Sequence, residues 1–135
     1  RNQFSRNLIN SGRLSVPFKL SGLNLDNEYR DDPMLGSIYT DFPILDRKGH
    51  RLFLTDIITQ KYNLLSFSRM KMKLPVDLNI ISVGNDTSQD VDFLDSEGKG
   101  LERYTEGLNY LIRPDGYIVG IFKELNIKEI ERCML

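Results

Sequence analysis

Apolar residues gather in short runs along this 135-residue chain, with turn-forming residues between them. The clearest pattern is NYLIRPDGYIVGIF at residues 109–122, where two apolar stretches flank Arg113-Pro114-Asp115-Gly116. Pro114 presets φ at the second turn position, Asp115 can bond back to the main chain, and Gly116 accepts the positive φ that closes such a loop. The stretch predicts a β-hairpin. Upstream, YNLLSFS at 62–68 and VDLNIISVG at 76–84 are apolar runs bounded by polar residues, as buried central strands are. DFPILD at 41–46 and RLFL at 51–54 predict two shorter strands, joined by the turn Arg47-Lys48-Gly49-His50.

Three further segments carry helical signals. TDIITQ at 55–60 predicts one or two turns with Thr55 as N-cap, and GKGLERYTEG at 98–107 predicts a helix ahead of the hairpin. The last element has the best cap in the sequence: Asn126 followed three residues on by Glu129, with Leu125 and Ile130 placed as a hydrophobic staple. Ile127, Ile130 and Met134 then share a face that buries against the sheet. Before residue 41 there is no sustained periodicity. RNQFSRNLIN at 1–10 reads as a short helix with Phe4 and Leu8 on one face, and turn residues follow it. Residues 1–36 are accordingly expected to form an extended linker or arm, and residues 37–135 the packed unit. Parallel central strands joined by helices, then an antiparallel hairpin and a covering helix, predict an α/β fold. It is a three-layer sandwich of thioredoxin-like topology, with a mixed central sheet and a C-terminal β-hairpin plus helix.

Hydrophobic content of 40% and charged content of 27% are ordinary for a soluble globular domain. A net charge of −1 argues against a nucleic-acid partner, because phosphate contacts need clustered cations. The densest basic stretch, Arg69, Lys71 and Lys73, reads as a solvated loop. No run of about 18 apolar residues predicts a membrane span, and no secretory signal opens the chain. The single cysteine, Cys133, has no internal partner and suits a reducing compartment. A cytoplasmic location is expected. The start at Arg1, without methionine, is read as a piece of a longer polypeptide.

The search for chemistry returns structural readings. A redox enzyme of this topology needs a thiol after the first central strand, at a helix N-terminus. Ser66 and Ser68 occupy that region here, and Gly107-Leu108 stand where such enzymes carry a proline before the penultimate strand. Cys133 reads as a small buried apolar residue of the last helix. His50 stands in a turn beside Lys48 and Arg51, without the His/Cys spacing of a zinc site. Asp86, Asp90, Asp92, Asp95 and Glu97 fail as a calcium loop. Counted from Asp90, the fifth position is Leu94 and the sixth is Asp95, so the stretch reads as a solvated loop turning at residues 95–98. None of the ten glycines forms a dinucleotide fingerprint or a P-loop. Nothing resembles a nucleophile elbow. Arg113, Asp115 and Gly116 read as hairpin chemistry, Tyr110, Tyr117 and Phe122 as core or interface aromatics, and Gly120 as a point of close backbone approach. No catalytic, cofactor-binding or metal-binding residue is expected.

Three segments together resemble a known family. SGRLSVPF at 11–18, DRKGHRLFLTDII with YNLLSFS within 46–68, and LERYTEGLNYLIRPDGYIVGIF at 101–122 are similar to the C-terminal region of class A flavoprotein aromatic hydroxylases. The likeness is to the 3-(3-hydroxyphenyl)propionate hydroxylase type within the phenol-hydroxylase-like group. It implies a non-catalytic, thioredoxin-like C-terminal domain that lacks the redox cysteine pair. FAD and NAD(P)H would then be cofactors of the full-length enzyme and not of these residues. The implied partners are the N-terminal FAD and substrate domains of a parent chain, with a homodimer contact. Two other readings stay open on the residues alone: a free-standing thioredoxin-like binding domain, and a thiol peroxidase using Cys133.

Overall fold

The computed structural model describes Tyr29 and residues 31–68, 77–86 and 90–134. In chain order its strands are β1 Pro43–Leu45, β2 Arg51–Phe53, β3 Asn63–Ser66, β4 Asn79–Gly84, β5 Phe93–Leu94, β6 Asn109–Ile112 and β7 Ile118–Phe122. Its helices are α1 Leu54–Ile57 and α2 Ile127–Cys133, with a 3-10 turn at Gly100–Glu102. Among the described residues the strands form one mixed sheet in the order β2-β1-β5-β4-β3-β6-β7.

β3 lies inside the sheet, parallel to β4 and antiparallel to β6. Both faces of β3 are covered, which explains why its sequence is a continuous apolar run and not an alternation. Leu65 and Phe67 point into a first cluster with Ile81, Tyr110, Ile112 and Ile121, closed by Phe42, Ile44, Leu54 and Tyr104. Leu64 points the other way, into a second cluster with Leu111, Val119 and Phe122 on which Ile130 and Cys133 of α2 pack. The hairpin forms as its turn chemistry requires. Gly116 has φ +94, Gly116 N–H donates to Arg113 O at 2.8 Å, and the Arg113 guanidinium grips the Asp115 carboxylate at 2.6 Å. The outer edge of β7 is occupied by residues 36–39. Gly36 N–H donates to Ile118 O at 2.7 Å, Ile118 N–H to Ser37 O at 2.8 Å, and Tyr39 N–H to Gly116 O at 2.9 Å.

Several elements depart from the sequence expectations. Thr55 does not cap α1. The cap lies two residues earlier at Phe53, whose N–H donates to the Asp56 carboxylate at 2.8 Å. Thr55 N–H is instead held by Asp41 Oδ1 at 2.9 Å. The helix expected over 98–107 shrinks to the single 3-10 turn. The buried Asp95 carboxylate ties down Gly100 N–H at 3.0 Å and Leu101 N–H at 2.9 Å. Tyr104 then turns into the core, where its hydroxyl exchanges hydrogen bonds with Thr40 at 2.7 Å. The acidic stretch is only partly solvated, since Phe93–Leu94 form the short strand β5 and Asp95 is buried. On α2, Ile130 and Cys133 face the sheet and Ile127 is exposed. Tyr117 is half-exposed beside Arg113 and does not join the core. Asn126 caps α2 as expected, its Oδ1 accepting from Lys128 N–H at 2.9 Å and Glu129 N–H at 3.2 Å. The expected helix at 1–10 and the basic loop at 69–73 lie outside the described residues.

Candidate functional site

In this topology chemistry is expected at the carboxyl end of β3, where β3, β4 and β6 meet. Ser66 stands opposite Asn109 on one side and Ser82 on the other. Residues in register share a sheet face, so the three form a small polar row, and all three are buried. Ser66 Oγ pairs with Ser68 Oγ at 3.1 Å. Ser82 Oγ accepts from Asp92 N–H at 2.9 Å and donates to Asp92 Oδ2 at 3.2 Å. Asn109 Nδ2 donates to Phe122 O at 3.1 Å, while its Oδ1 has no hydrogen-bond partner among the described residues. No base is seen touching either of the Ser66 and Ser68 hydroxyls among the described residues.

The opposite face of the same corner is filled by aromatic rings. Phe67 stacks on Tyr104 at 5.3 Å, and Tyr104 meets the edge of Tyr110 at 5.0 Å. Main-chain bonds close the gap beside them: Phe67 N–H donates to Leu108 O at 3.0 Å and Gly107 N–H to Phe67 O at 3.1 Å. Tyr110 Oη accepts from Thr105 N–H at 2.8 Å. Burial pushes both phenols above their ordinary pKa, so both stay neutral at physiological pH. Among the described residues, aromatic rings and main-chain bonds line this face of the corner.

Cys133 lies on α2 against β7, not at this corner. Its sulfur is 3.4 Å from where a Cβ on Gly120 would stand, which is the close approach foreseen for that glycine. Burial pushes the thiol up to about 11, so almost none of it is thiolate at neutral pH. His50 is exposed in its turn and pairs with Asp46, Nδ1 to Oδ2 at 3.2 Å. The N–H groups of His50 and Lys48 donate to Asp46 Oδ1 at 2.8 and 2.9 Å. The His50 main-chain bond is the first cause holding the Asp46 carboxyl below its usual range. Asp46 thus shapes the turn. Among the described residues no group of three or more His, Cys, Asp or Glu side chains is placed to hold a metal, and no helix is long and apolar enough to cross a membrane.

Sequence reasoning missed the buried polar set. Asn63, Ser66, Ser82, Asp95 and Asn109 are all buried. Four of them are isolated polar residues in or beside apolar runs, the one sequence signal that marked them. Asn63 is fully engaged: its Oδ1 accepts from Thr59 N–H at 3.0 Å and Asn79 Nδ2 at 3.0 Å, and its Nδ2 donates to Thr59 O and Lys61 O. These groups specify packing and strand register.

No family model and no curated protein matches the sequence. Solved structures match in fold. The flavin-dependent monooxygenase PieE, solved with FAD and substrate, superimposes with a TM-score of 0.54 at 16% identity, over 73% of this chain and 19% of that one. Aklavinone-11 hydroxylase, solved with FAD and aklavinone, gives 0.53 at 19% identity, over 72% of this chain and 20% of that one. A putative protein disulfide isomerase from Bacteroides thetaiotaomicron gives 0.52 at 21% identity, over 72% of this chain and 83% of that one. At such identities the likeness establishes the fold, a thioredoxin-like α/β domain with a mixed sheet. The chain spans about a fifth of the length of the two flavin enzymes.

Proposed function

We propose that this chain is the non-catalytic C-terminal domain of an FAD- and NAD(P)H-dependent monooxygenase that hydroxylates a phenolic aromatic compound such as 3-(3-hydroxyphenyl)propionate. Its role is to stabilise the enzyme or to mediate subunit contacts. The observation that supports this reading is the corner at the end of β3: the thioredoxin-like fold keeps its sheet and hairpin, and Ser66, Phe67 and Ser68 stand where a redox enzyme of this topology needs a thiol. The segment resemblance and the likeness to two much longer flavin enzymes support it. This reading assigns FAD to the preceding domains of the parent.

The test uses the parent gene. Its coding region upstream of Arg1 is expected to contain a G-x-G-x-x-G opening a βαβ unit. A parent polypeptide shortened by this domain is expected to lose thermal stability or subunit association before it loses the ability to bind FAD. A free-standing protein that begins at Arg1 and binds no flavin domain would overturn the proposal. The likeness to a disulfide isomerase raises a thiol reading, but Cys133 is 5% exposed. Loss of a peroxidase activity on Cys133→Ser would be the result in favour of that reading.

A further inference from the structure

The turn of the hairpin carries a reactive dipeptide. Asp-Gly occurs once in the sequence, at Asp115-Gly116. In such a pair the main-chain nitrogen can attack the neighbouring side-chain carboxyl, because glycine has no Cβ to shield it or to restrict its approach. Gly116 N bonds to Asp115 Cγ, and a Cγ–O bond breaks. The amide proton and a proton from solvent leave with that oxygen as water, and a cyclic imide results. Water then opens the ring at either carbonyl. Opening at the main-chain carbonyl of Asp115 leaves an isoaspartyl linkage, which routes the chain through the side chain and lengthens it by a methylene. No oxidant or metal enters this balance. Water reaches the turn, since the Arg113 and Asp115 side chains are 35% and 51% exposed.

The folded turn opposes the first step at both reacting atoms. In the imide, nitrogen stays planar and Cγ takes the place of the amide hydrogen. Gly116 N–H points instead at Arg113 O, 2.8 Å away, so the turn's own bond occupies the direction of attack. The carboxyl is tied as well. Arg113 Nε donates to Asp115 Oδ1 at 2.9 Å and to Oδ2 at 3.0 Å, and a second guanidinium nitrogen donates to Oδ2 at 2.6 Å. Tyr117 N–H adds a longer bond to Oδ1 at 3.3 Å. A planar fork of this kind fixes the orientation of a carboxylate as well as its place. Burial raises the Asp115 carboxyl, but the bonds and charge of Arg113 more than offset it and leave the group below its usual range. It is therefore held in the ionised form, which gives up oxygen least readily. We propose that Asp115-Gly116 is a site of spontaneous isoaspartate formation that Arg113 holds closed in the folded chain. The consequence of modification lies next to it. Gly116 O accepts from Tyr39 N–H at 2.9 Å, so a lengthened turn loosens residues 36–39 from the edge of β7. The inference concerns this chain alone and stands apart from the flavoenzyme reading.

The test ages the 135-residue chain near neutral pH, folded and in urea, and measures isoaspartate at residue 115 by peptide mapping with mass spectrometry. The folded chain is expected to accumulate it roughly tenfold or more slowly than the chain in urea. Arg113→Gln removes the fork and keeps the main-chain carbonyl. It is expected to raise the folded-state rate about three- to tenfold and to leave the rate in urea unchanged. Arg113→Lys, which puts a point charge in place of the fork, is expected to fall between the two. Equal rates in the folded and urea-unfolded chain overturn the proposal, and so does an Arg113→Gln rate equal to that of the unaltered chain. The denaturant midpoint of each variant is measured alongside. An increase that only follows a larger unfolded fraction also overturns it.

Discussion

Gly120 has no spare room around it. A Cβ there would stand 2.7 Å from the Phe122 ring and 3.4 Å from Cys133 Sγ. Gly120→Ala is therefore expected to lower stability by about 1–3 kcal/mol through overpacking, read as a lower denaturant midpoint at unchanged slope. An unchanged midpoint would mean that the Phe122 ring does not fill the space over Gly120. Cys133 gives a pH-dependent counterpart. Its folded-state pKa is raised from 9.0 to about 11, so the folded state holds the proton more tightly than the unfolded one. The contribution is full below pH 9 and is lost as pH rises toward 11. Stability is expected to fall across that window, and less so in Cys133→Ala. A thiol that reacts with a disulfide reagent in the native state as fast as in urea would contradict this burial.

At the scale of elements, one side chain decides the fate of residues 98–107. Asp95 holds Gly100 and Leu101 in a single turn. Asp95→Ala would leave those donors unpaired beside Phe42 at a cost of about 1–3 kcal/mol, measurable by equilibrium unfolding. Gly116→Ala is expected to cost about 1–2 kcal/mol, because its φ of +94 suits only glycine. The elements legible in sequence were those whose signals are local. The hairpin declared itself through Pro114, Asp115 and Gly116, and the start of α2 through Asn126. β3 and β4 declared themselves as apolar runs. What stayed hidden was set by distant partners. β5 is two residues long and exists because Leu94 finds Leu45. The failed helix depends on Tyr104 reaching Thr40. The buried face of α2 shifted from Ile127 to Cys133 because Gly120 opens a place for sulfur.

For the whole molecule, the sheet, hairpin and covering helix keep a thioredoxin-like architecture, and among the described residues aromatic rings and main-chain bonds line the corner at the carboxyl end of β3. The serines at 66 and 68 and the place of Cys133 on the last helix were readable in the sequence. How the corner closes, through Tyr104, Tyr110 and the Phe67–Leu108 main-chain bonds, was not, because those contacts join residues about 40 apart in sequence. The most direct measurement is the visible absorption spectrum and NAD(P)H oxidation of the full-length gene product, set beside those of this chain alone. The account predicts bound FAD and phenol-stimulated NAD(P)H oxidation in the former, and a colourless, inert protein in the latter. Flavin held by the isolated chain, or a full-length product that binds none, would contradict it.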